Sequence, residues 1–164
     1  MAKKKTTEIS SEILSSPEMS KRYLEIADVI ILILDNRGDI VLINRKGEKV
    51  LGWKKKELIG KNWFETCVLE SERKHVKKYF DSMIKGETKV LEKRDNFIIT
   101  KDGKVRLISW NNRTLKDSKG NIICTLSSGE DVTDIKEAEE KLRNSEEKYR
   151  ILFETMVQGV VYLY

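Results

Sequence analysis

The stretch "SSGEDVTDIKEAEEKLRNSEEKYRILFE", Ser127 to Glu154, decides the fold. An apolar, strand-like run ends at Ser127–Ser128, Gly-Glu-Asp-Val-Thr-Asp follows, and a long charged segment begins. "DIKE" offers Asp134 as a helix N-cap and Glu137 at the third helical position, the reciprocal pairing of a capping box. Beyond it Ile135, Ala138, Leu142, Ser145, Tyr149, Leu152 and Met156 recur at alternating steps of three and four. That is heptad spacing with charged residues between. Ala138 and Ser145 weaken the stripe. So narrow a stripe predicts a parallel two-stranded coiled coil with a second copy; the alternative is a solitary amphipathic helix folded back on a sheet. The chain therefore ends a sheet and leaves it through a helix that connects rather than fills a core.

Working back from that exit, three strands precede it. "VLEKRDNFIIT" leads to the turn "KDGK", "VRLISWNNRTL" to the turn "KDSKGN", and "IICTLSSGED" closes the set. Asp and Gly between alternating runs are hairpin chemistry. Near the start, "DVIILILDNRGDIVLIN" is two apolar runs around "DNRGD", another hairpin. A short amphipathic helix is expected before it, starting after Ser20, with Tyr23, Leu24 and Ala27 on one face. Between the two sets, short helical pieces end at Gly52, Gly60 and Gly86, where glycine supplies a left-handed cap. The longest of them carries Val76, Tyr79, Phe80, Met83 and Ile84 at the spacing of a one-sided buried face. Two strands, several helices, three strands and a long helix give an α+β class. The expected architecture is a five-stranded antiparallel sheet with short helices on one face and a long C-terminal linker helix.

Composition narrows the function. The net charge of +5 comes from mixed signs, with tight basic runs only at "MAKKK" and "GWKKKE". No basic face with aromatic or helix-turn-helix context is visible, so no nucleic-acid partner is expected. The longest apolar run, "VIILIL", is far below the ~20 residues of a membrane span. No secretion signal is apparent, so the expected location is cytoplasmic. Cys67 and Cys124 have no metal-site spacing with the single His75, so no metal is expected. There is no glycine-rich phosphate loop and no nucleophile–base motif, so the chain is not expected to be an enzyme.

Two segments resemble each other. "RYLEIADVIILILD" (22–35) and "KYRILFETMVQGVVYLY" (148–164) both run from an aromatic-bearing helical lead-in to an apolar strand. Such self-similarity suggests a tandem array and a longer parent chain. The expected organisation is a flexible segment over 1–20, a folded domain over 21–133, a coiled-coil-type linker helix over 134–156, and the first strand of a second repeat over 157–164.

The hairpin "ILILDNRGDIVLIN", the run "RKGEKVLGWKKKELIGKNW", the pair "KDGKVRLISWNNRTLKDSKGNI" and the exit "GEDVTDIKEAEEKL" stand in this order. Over about residues 21–134 the chain resembles a PAS domain, the sensor module of bacterial and archaeal signalling proteins. The resemblance implies a pocket between sheet and helices that senses a ligand, redox state, light or gas. The signal would leave through the exit helix toward a downstream PAS or histidine kinase domain in the same polypeptide. Asp131, Thr133 and Asp134 would form the relay junction. Ile135, Leu142, Tyr149 and Leu152 would hold the helix in a homodimer.

Strand alternation puts Ile108, Trp110 and Asn112 on one face. By the resemblance Asn96, Ile98, Thr125 and Ser127 join them as pocket candidates. Flavin light sensors of this family carry Gly-x-Asn-Cys, where this chain has "GKNW" with Trp63 at the cysteine position. They also carry Asn and Gln where Ile98 and Gly129 stand. A haem would need His75 as its ligand, in the hydrophilic "SERKHVKK". The residues favour no cofactor, or a small colourless ligand, over flavin or haem. The remaining alternative is a ligand-free dimerisation module that uses outward residues such as Phe97 and Ile99.

Overall fold

A computed structural model describes residues 16–87 and 93–161. Helix α1 (Pro17–Ile26) leads into β1 (Ile30–Asp35) and β2 (Ile40–Ile43). Four helices follow, α2 (Arg45–Leu51), α3 (Lys55–Leu58), α4 (Trp63–Thr66) and α5 (Glu70–Ile84). Then come β3 (Arg94–Ile99), β4 (Val105–Lys116), β5 (Ile122–Asp131) and the long α6 (Thr133–Val161). The class is α+β, as the element order implied. The chain divides into two compact units after Asp131.

All the strand pairs are antiparallel and the order is β2-β1-β5-β4-β3. β2 and β3 lie at opposite edges. The chain must therefore travel from one edge to the other, and α2 to α5 make that journey across one face. Their apolar sides and the inner face of the sheet form a single core that includes Ile30, Leu32, Ile43, Leu51, Leu58, Phe64, Ile98 and Ile108. The segment after α4 also pairs along β3: the Ile99 N–H donates to the Cys67 carbonyl at 2.8 Å. That contact anchors the helical layer to the far edge.

The first hairpin forms for visible reasons. Asp35 Oδ1 accepts from the backbone N–H of Arg37 at 2.8 Å and of Asp39 at 2.9 Å. Gly38 takes φ +88, and a Cβ there would stand 2.3 Å from the Phe64 ring. The turn is thus fitted both by its own chemistry and by α4 beneath it.

Three sequence expectations shift. α1 begins at Pro17, before the expected start after Ser20, because Ser16 caps it and Pro17 is preset for the first helical position. α6 begins at Thr133, so Asp134 lies in its first turn and is not the cap ahead of it. α6 also continues through 157–161, where the strand of a second repeat was expected. A strand needs a neighbour to take its backbone hydrogen bonds, whereas a continuing helix supplies them internally. Residues 162–164 of that expectation, and 88–92 of the lead into β3, lie outside the described residues, as do residues 1–15 of the N-terminal segment.

Candidate functional site: a small polar cavity under the sheet

A cavity of about 40 Å³ lies between the inner face of the sheet and the helices. β1 gives Leu32 and Leu34, α4 gives Trp63 and Phe64, and α5 gives Val76, Tyr79, Phe80 and Met83. β3 gives Asn96, β4 gives Trp110 and Asn112, and β5 gives Thr125 and Ser127. Two of the seven sequence candidates, Ile98 and Ile108, are fully buried on the same face but pack in the core instead. The other five meet at the cavity.

The reason is register. Asn112 stands opposite Ser127 on the neighbouring strand, so both side chains rise from the same face. The Ser127 hydroxyl donates to Asn112 Oδ1 at 2.6 Å. One step along β5, Thr125 is 1% exposed, and its Oγ1 has no hydrogen-bond partner. Trp63 and Trp110 close the apolar side edge to face, with centroids 5.7 Å apart. Phe64 and Phe80 back them at 5.1 Å. Among the described residues no Asp, Glu, Lys, Arg or His lines the cavity. A neutral wall of amides, hydroxyls and aromatic rings can hold a small molecule, but it offers no charged acid or base.

The size sets a limit. A water needs roughly 10–15 Å³ on this measure, so about three would fill the space. A drug-sized ligand needs roughly 300 Å³ or more. Neither a flavin ring nor a haem fits. Trp63, at the family's flavin-cysteine position, is itself buried against Trp110. His75 is exposed on α5 and does not line the cavity. Its Nε2 lies 2.6 Å from Arg94 Nη2. An arginine can only donate, so that nitrogen accepts and is engaged.

Two determinants went unassigned from sequence. Gly129 faces Trp110 across the β4–β5 ladder, and a Cβ there would lie 2.6 Å from the indole. The glycine is what lets Trp110 lie flat against β5. Asn44 is fully buried. Its Nδ2 donates to the carbonyls of Leu24 and Val29, and its Oδ1 accepts from the N–H of Ile31 and Gly47. It ties α1, β1 and α2 into one piece. The α5 lining residues were legible as a buried helical face, though not as a cavity wall. Burial pushes the Cys67 thiol up to about 12, which leaves it protonated and unreactive at neutral pH.

Residues 18–132 match the PAS fold family. The chain belongs to that family. Among solved structures, the PAS domain of the quorum-sensing receptor RpfR from Cronobacter turicensis, in complex with BDSF, is 27% identical. The match has a TM-score of 0.56 and covers 65% of this chain and 96% of that one. The same receptor domain in complex with C12:0 matches equally. A PAS domain from Colwellia psychrerythraea shares the fold at TM-score 0.64 and 16% identity, over 71% of this chain and 97% of that one. So does a sensory box histidine kinase/response regulator from Burkholderia thailandensis, at 0.59 and 20%, over 80% and 97%. No curated protein matches the chain. Among the described residues no helix is long and apolar enough to cross a membrane. β5 ends at Asp131, and α6 begins two residues later at Thr133.

Proposed function

We propose that this PAS domain senses a small, colourless ligand in its cavity and relays occupancy through α6. The observation that carries the reading is Thr125: a buried hydroxyl without a partner, among apolar rings and two amides. Such a group costs ~1–3 kcal/mol unless something in the cavity bonds it. The RpfR relative, which forms complexes with BDSF and with C12:0, supports a ligand-binding role.

The relay follows from connectivity. Thr125 and Ser127 touch the cavity, and the same strand ends at Asp131, two residues before α6 begins. Asp131 faces Arg106 at 3.8 Å. A change in the cavity that tilts β5 acts on this junction of Asp131, Thr133 and Asp134. Ile135, Leu142, Tyr149 and Leu152 are exposed along α6, on the heptad stripe. Pairing with a second copy in parallel would cover that stripe and set Lys141 of one helix beside Glu146 of the other. The homodimer then turns occupancy into rotation or slippage of the paired helices. The output is a downstream domain of the same polypeptide, with a histidine kinase as the proposed parent. The setting is cytoplasmic.

One observation favours a second reading, a ligand-free interaction module: the cavity holds only about 40 Å³. Thr125→Val separates the two, because valine keeps the shape and removes the hydroxyl. The sensing reading expects a small molecule released from the denatured protein and seen by mass spectrometry, and lost from the variant. An empty wild-type cavity together with a variant of higher Tm would instead support the interaction module.

A further inference from the structure

We propose that Arg94 is an anion-recognition residue at the rim of the cavity, and that the ligand class is a short-chain monocarboxylate. The inference rests on the sensing reading above and names the chemistry of that site. Arg94 opens β3 and points to the inner side, because it stands directly opposite Trp110 on β4. Its guanidinium carbon lies 4.1 Å from the centre of the Tyr79 ring. Trp110 and Tyr79 both line the cavity. Arg94 does not line it; it stands over two residues that do. Two positions along the same strand, Asn96 reaches the cavity itself.

Arg94 shares with Arg45, Arg113, Arg143 and Arg150 the lack of a paired carboxylate among the described residues, but unlike them it stacks on a residue of the cavity wall. Arg37, Arg73 and Arg106 each have a carboxylate within 4.0 Å. Among the described residues Arg94 has none; its polar contact is the neutral acceptor His75 Nε2. That contact uses one of five N–H donors. The remaining fork matches the two oxygens of a carboxylate, the strongest partner a guanidinium finds. Stacking on Tyr79 and the bond to His75 hold the planar group in place, so little freedom is lost on binding. A carboxylate at the rim sends its tail inward past Tyr79 toward the two tryptophans. The cavity limits that tail to about two or three heavy atoms. A dicarboxylate would bring a second charge against a wall that holds no cation among the described residues.

The test uses the whole chain with three probes: sodium propionate, propionamide and dodecanoate. Calorimetric titration gives affinity, and NMR follows the indole N–H of Trp63 and Trp110. The expected result is that propionate shifts those signals and binds at least about tenfold more tightly than propionamide. Arg94→Gln erases that preference, and Arg94→Lys retains part of it because the charge remains without the fork. His75→Ala, away from the cavity wall, weakens propionate less than Arg94→Gln does. Arg94→Lys serves as the second variant if Arg94→Gln fails to fold, and an undiminished preference in it overturns the role of the guanidinium fork. Equal binding of propionate and propionamide, or an unchanged preference in Arg94→Gln, overturns the role of Arg94 and leaves the cavity as a neutral-ligand site. Tighter binding of dodecanoate overturns the size limit. If no probe moves either indole, both the carboxylate inference and the small-ligand reading of the cavity fall.

Discussion

At the scale of single residues, the cavity exists because of what is missing at position 129. Trp110 is large enough to fill the space under the sheet, and it lies where it does only because Gly129 presents no Cβ. Gly129→Ala forces the indole away from β5 and into the cavity. Overpacking of this kind costs about 1–3 kcal/mol. The expected outcome is a Tm several degrees lower and a changed tryptophan emission; an unaltered spectrum would show that the indole has room to spare. This pairing was not legible as such in the sequence. Trp110 and Gly129 are 19 positions apart, and their contact depends on the β4–β5 register. The polar lining was easier. Thr125 and Ser127 share a face by strand alternation, a property of the backbone itself, and the family resemblance set that face beside Asn112.

At the scale of elements, the proposed output path runs from β5 into α6. Asp131→Ala and Thr133→Ala are expected to leave the far-UV spectrum and Tm nearly unchanged while uncoupling ligand from output in the parent protein. Signalling assays that retain full ligand response in both variants would count against the junction. The helix makes its own prediction. Leu142 is 62% exposed at the middle of the heptad stripe. Leu142→Lys places a charge in the seam, so sedimentation should report a monomer, against the dimer proposed for the unaltered chain. A dimer that survives would locate the interface elsewhere, for instance on the outer strand face that carries Phe97. The heptad was plain in the sequence because it is a local pattern. The far end was misjudged for the same reason. "VQGVVYLY" has an apolar strand's composition, and composition cannot say whether a neighbouring strand is present to pair with.

At the scale of the whole molecule, charge placement sets the response to acid. Asp28 is held below its usual range by the Lys46 ammonium. For Asp35, burial pushes upward, but the backbone N–H groups of Asp39 and Arg37 outweigh it and the result is lower. The Thr100 hydroxyl and Lys104 bring Asp102 to about 2. A carboxylate with a lowered folded-state value stabilises the fold above its unfolded value and loses that contribution as pH falls through the folded one. Stability should therefore hold through neutral pH and decline between about pH 4 and pH 2. Thermal melts across that range check it. Asp102→Asn should flatten part of the decline, since Asp102 carries the largest of these shifts with a stated value.

The sequence by itself determined the order of the elements from β1 to β5, their antiparallel hairpins, the α+β class and the PAS membership. Turn chemistry, strand alternation and helical spacing act over a few residues, and each can be read along the chain. Tertiary structure alone decided the cavity's size, the contact of Gly129 with Trp110, and the four hydrogen bonds of Asn44. It also decided that His75 meets Arg94 outside the cavity and that Ile98 and Ile108 pack away from it. These depend on strand register and on where α5 crosses the sheet. Both are settled only when the apolar faces close on one another, and small shifts in that packing decide whether a buried group finds a partner.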